Sequence, residues 1–227
     1  MSKQHIFRTI APLLIGALLA AINAGFAADD MAPREDSEDV ILASDLPAEA
    51  ASAIADMITV GLDGLSEAEL NALAVAIEPG QTVVVPHEEG LATWDYGVAA
   101  LTALAPNIPS TDCEPKASNV HLRASGNYGT AGVKPTVACV TTKKKLAINT
   151  VLMKKRSIWG TGSSVVASWY KGNAGVAAYR PTDREVKCTN SKKTTWLALH
   201  EHVVVRWDDC VFSLVTRSPD TDLVCGT

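Results

Sequence analysis

The stretch TTWLALHEHVVVRWDDCVFSLV, residues 194–215, decides the fold. It holds two runs rich in β-branched and aromatic residues, 194–206 and 211–215, separated by the turn-like Trp207-Asp208-Asp209, which is the pattern of a β-hairpin. If Arg206 faces Cys210 across that turn, residue i on one arm lies opposite residue 416 − i on the other. Within the first arm His200 and His202 then project from one face of the strand and Glu201 from the other.

Similar short runs lie upstream at 136–140, 146–153, 163–170 and 176–179, separated by charged or turn-like segments. Six or seven strands at this spacing predict an antiparallel sandwich or a small barrel. Alternating strand directions place Lys143, Lys144, Lys145, Gly172 and Asn173 at one end with Trp207, Asp208 and Asp209. The other end gathers Lys154, Lys155, Arg156, Arg184, Lys187, Lys192 and Lys193. One end is mixed in sign and the other strongly basic.

The first half of the chain has a different period. Asp45 and Pro47 open a helix whose apolar face includes Ile54, Met57 and Ile58, ending near Gly61. Ser66 and Glu69 have capping-box spacing, and Leu70, Leu73, Ala74 and Ile77 form a helical stripe before Pro79-Gly80 stops it. A short strand is expected at 82–85, and Leu91, Trp94, Val98 and Leu101 form a third amphipathic stretch. The fold class is α+β overall: an N-terminal acidic α-helical segment, then an all-β antiparallel sandwich or small barrel stapled by disulfides.

The whole-chain net charge of −5 is a sum over unlike parts. Residues 28–110 hold sixteen Asp and Glu against one base, Arg34, a net of −15. Residues 111–227 hold seventeen Lys and Arg against nine acids, a net of +8. The expected organisation is a disordered acidic segment (28–44), an acidic α-rich unit (45–110) read as a propeptide or shield, and a basic cysteine-containing β-domain (111–227). The two halves are expected to touch.

Ahead of these, Lys3 and Arg8 precede an apolar run over 10–22, and small residues lead up to Ala27. Residues 1–27 are a secretory signal peptide by this pattern, cut between Ala27 and Ala28, and the protein is expected to be secreted and extracellular. Outside the cytosol the five cysteines read as a disulfide framework with one thiol left over. The hairpin register puts position 188 opposite 228, which favours Cys188 with Cys225. Cys139 then pairs with Cys210 or Cys113.

Two clusters carry candidate chemistry. His200 and His202 on one strand face are metal candidates if His121, Asp208 or Asp209 adds a third ligand. The H-E-x-x-H pattern fails, because Val204 stands where its second histidine belongs. The alternatives are a leftover thiol acting with His200 as a nucleophile, or two histidines on a solvated strand face. The basic end, interleaved with Trp159, Trp196 and Tyr170, suits an anionic polymer. The expected function is a secreted non-enzymatic β-domain binding an anionic surface or polymer (cell wall, phospholipid or nucleic acid), shielded by its acidic half. A secreted hydrolase with a site around His200 and His202, or a toxin or bacteriocin-like effector, are the alternatives. No cofactor is expected.

Overall fold

The computed structural model describes residues 40–87, 112–124, 129–156 and 162–227. The expected signal peptide with its Ala27–Ala28 cut, residues 28–39, Trp159 and the stretch from Leu91 to Leu101 lie outside the described residues.

In chain order the strands and α-helices are β1 (Val40–Leu42), α1 (Ala48–Val60), α2 (Glu67–Ala76), β2 (Thr82–His87), β3 (Cys113–Lys116), β4 (His121–Leu122), β5 (Thr130–Gly132), β6 (Thr136–Lys155), β7 (Ser163–Tyr179), β8 (Glu185–Lys187), β9 (Asn190–Val205), β10 (Val211–Arg217) and β11 (Thr221–Gly226). The fold is a sheet-rich α+β structure. Its central sheet runs β1-β2-β10-β9-β6, with β3 and β7 along β6 and β11 along β9. The sheet is open, so the expected small barrel is not formed. A separate three-stranded sheet, β4-β5-β8, packs on one face.

The hairpin register holds: Val211 faces Val205, Ser213 faces Val203 and Arg217 faces Leu199. Two expected turns do not. Lys143 to Lys145 and Gly172-Asn173 lie inside β6 and β7, which run past them as one long antiparallel pair. The reason is pairing rather than propensity, since backbone bonds to a neighbouring strand hold polar residues extended. Lys145 is still level with Ala174 and Val205, so these residues sit beside the hairpin turn as expected.

Both helices follow their local signals. Pro47 precedes α1 and Gly61, at φ 75°, ends it. Ser66 and Glu69 form the capping box of α2. Leu70, Leu73, Ala74 and Ile77 are buried together with Ile54 and Met57 of α1. The same core takes in Val83, Val85, Val151, Met153, Leu197, Leu199 and Val215 from the sheet. The expected boundary between an acidic α-unit and a basic β-domain therefore does not divide two cores. β2 of the acidic part is hydrogen-bonded into the central sheet beside β10. Residues 40–42, expected within the disordered acidic segment, form β1 and pair in parallel with β2. Three consecutive apolar residues, Val40-Ile41-Leu42, outweigh the charged surroundings there.

The opposite face carries two further clusters, one around Leu146, Ile148, Phe212 and Leu214, the other around Leu152, Trp196 and Ala198 beneath β4, β5 and β8. Cys113–Cys139 joins directly opposed residues of β3 and β6. Cys188–Cys225 ties the residue after β8 to β11, as the register predicts, and Cys210 is free. Among the described residues, no helix is long and apolar enough to cross a membrane.

Candidate functional site

β9 is central and both faces of the sheet are covered, so alternation sends its residues into two interiors rather than one interior and solvent. His200, Glu201 and His202 are all buried, which overturns the reading of a solvated strand face. Glu201 points into the helical layer. Its Oε1 accepts from Ser213 Oγ at 2.9 Å and its Oε2 from the backbone N–H of Leu62 at 3.1 Å. Ser213 Oγ is also 3.0 Å from Nε2 of His87. Nearby, Asn149 Nδ2 donates to Asp63 Oδ1 at 2.6 Å. Burial raises the Glu201 carboxyl above its ordinary range, against the opposing hydrogen bonds from Ser213 and Leu62. Burial likewise lowers His87.

His200 and His202 point to the other face, their ring centroids 6.1 Å apart. His200 Nδ1 lies 3.2 Å from Thr150 Oγ1, and His202 Nε2 lies 3.1 Å from Thr216 Oγ1. Desolvation lowers His200 to about 3, helped by the Arg184 guanidinium, and lowers His202 well below its ordinary value, with His200 and Arg184 as further causes. Both rings are therefore neutral at ordinary pH. Among the described residues no group of three His, Cys, Asp or Glu side chains is placed to hold a metal. Neither ring reaches solvent, so the pair does not form an open catalytic site.

Arg184 belongs to this interior and not to the basic end. It is buried, donates to Trp169 O at 2.9 Å and bonds Thr150 Oγ1 and Ile148 O. Desolvation brings its guanidinium down to about 10. A single arginine in a turn-like segment gives no sequence signal of burial, which is why its side chain was expected at the surface.

The basic end is assembled from strand termini. Asp222 feels both Lys193, 2.9 Å away, and Lys155, which places those two lysines together. Lys155 pairs with Asp220, Lys154 donates to Thr227 O at 2.8 Å, and Arg156 pairs with Glu67 at 2.5 Å. Glu67 comes from the acidic half and also accepts from the Val165 backbone N–H at 3.3 Å. Lys187, on β8, and Lys192 are exposed and make no ion pair with any described residue. Sequence reasoning missed the counter-charges. Asp220 and Asp222 stand among the strand residues, and the Glu67 contact spans 89 residues. Trp196, expected at this surface, is fully buried.

Compared with protein-family models, curated proteins and solved structures, the chain finds no match in any of the three.

Proposed function

We propose that the protein is an exported, non-enzymatic binding domain for an anionic polymer or surface, contacted through Lys154, Lys155, Arg156, Lys192 and Lys193. The observation that carries this reading is the Arg156–Glu67 pair, through which the acidic half touches the basic end. Five cations there meet three carboxylates, Glu67, Asp220 and Asp222, leaving a positive remainder. Export is supported by the charged and apolar leader and by two disulfides, which oxidising compartments sustain.

Shielding in this reading is local and permanent. Removing 45–110 would strip β2 and the helical layer and expose Val151, Met153, Leu197, Leu199 and Val215, so a released propeptide is not part of the proposal. The hydrolase alternative is not favoured, because His200 and His202 are enclosed. The test is to measure binding of the full chain to polyphosphate, to single-stranded polynucleotide and to anionic phospholipid vesicles in parallel, at low and moderate salt. Saturable, salt-sensitive binding to at least one supports the proposal and names its ligand class, and binding to none removes it.

A further inference from the structure

A second site lies away from the basic end, beside the hairpin turn. Residues Asp112, Thr141, Lys143, Arg206, Trp207 and Asp208 line an open cleft of about 420 Å³, within the size range of small-molecule sites. Trp207 is 64% exposed, a large apolar surface that folding leaves in water. It does not swing freely, because its indole N–H donates to Thr142 O at 3.0 Å. The turn beneath it is also fixed. Arg206 N–H donates to Cys210 O at 2.9 Å, and Asp209 adopts φ 65°, the left-handed residue that ends a three-residue hairpin loop.

The polar groups of the cleft are already oriented. Lys143, only 4% exposed, donates to Asp112 Oδ2 at 2.5 Å and to Thr141 Oγ1 at 2.7 Å. Thr141 Oγ1 donates to the same carboxylate at 2.8 Å. Burial raises the Asp112 carboxyl, but the bonds from Lys143 and Thr141 outweigh it and hold it below its ordinary value. Arg206 pairs with Asp208 at 2.9 Å on the rim. Two cations therefore meet two carboxylates, and the cleft offers no excess charge of either sign.

An exposed, immobilised aromatic face suits a puckered, hydroxylated ring that turns one apolar C–H face toward it. Balanced carboxylates and cations suit the many hydroxyls of such a ring, since each paired group keeps spare donor or acceptor capacity. A polyanion gains nothing from a neutral cleft, and a purely apolar ligand would leave the charged groups desolvated. We infer that this cleft binds a neutral saccharide ring stacked on Trp207, with its hydroxyls bonded to Asp112, Arg206 and Asp208. The site is independent of the proposed polyanion surface, because it draws on none of the cations assigned there.

The test titrates the full chain with neutral trisaccharides (cellotriose, maltotriose and tri-N-acetylchitotriose), following the indole N–H resonance assigned to Trp207 by its loss in Trp207→Phe. At least one trisaccharide should shift that resonance saturably. Trp207→Ala, at an exposed position, should weaken binding about tenfold without lowering the melting temperature. Asp112→Asn should also weaken it, while Val224→Ser, on a different exposed strand, should not. The inference is overturned if no trisaccharide moves the Trp207 signal, if Trp207→Ala binds as well as the parent, or if charged saccharides compete out the neutral ones.

Discussion

The backbone N–H of Leu62 donates to Oε2 of Glu201 at 3.1 Å, joining two residues 139 apart in the chain. The bond pins the connection between the helices onto the middle strand of the sheet, and Ser213 holds the other carboxylate oxygen. Replacing Glu201 by Ala leaves the Leu62 N–H buried and unpaired, at a cost of about 1–3 kcal/mol before relaxation, and leaves Ser213 Oγ with His87 alone. Glu201→Gln keeps an acceptor and should cost clearly less. Urea unfolding of the two variants checks this, and equal losses would show that the carboxamide is no better a partner than a void.

Stability should fall as the solution is acidified through the histidine range. His200 and His202 are neutral in the folded state because burial depresses both, His200 to about 3, against an ordinary value of 6.5. A depressed folded value means that the unfolded chain binds the proton first, so the stability is present above about 6.5 and is lost as pH drops below it. Each ring contributes about 1.4 kcal/mol per pH unit once the unfolded form is protonated. Glu201 has the opposite sign: its raised folded value favours the fold at low pH and costs stability as pH rises above its unfolded value of 4.5. His87, also lowered by burial, acts with the two histidines, so three groups oppose one and the net slope between pH 6 and 5 should be a loss on acidification. Urea midpoints of wild type and His202→Gln should show a shallower slope in the variant.

One free thiol per chain should react with iodoacetamide when the protein is unfolded without reductant, and mapping should place it on Cys210. A label on Cys113, Cys139, Cys188 or Cys225 would contradict the pairing. Replacing Cys188 and Cys225 together by Ser should cost about 2–4 kcal/mol, since that bridge spans 37 residues.

The hairpin around Trp207 was legible because short-range rules govern it: a turn, a period of two, and a register that follows from one facing pair. The same register led to Cys188–Cys225. The caps at Ser66 and Gly61 were legible for a like reason. What lay beyond the sequence depends on layers. Alternation placed Glu201 opposite to His200 and His202, but nothing in residues 194–206 tells that a helical layer covers one face and β4-β5-β8 the other. Arg184 and Trp196 were misplaced by the same gap. Glu67 carries no signal of its own beside the Ser66–Glu69 capping box, because its contact with Arg156 depends on where α2 lands on the sheet.

The basic end and its local acid, Glu67, carry the proposed function. Labelled polyphosphate titrated into the full chain at low salt tests it directly, comparing wild type with Glu67→Gln and with the double variant Lys192→Gln/Lys193→Gln. Binding should be saturable, weaken as salt rises, tighten up to about fivefold when the Glu67 charge is removed, and fall in the lysine double variant. Equal binding by all three proteins, or none by the wild type, would contradict it.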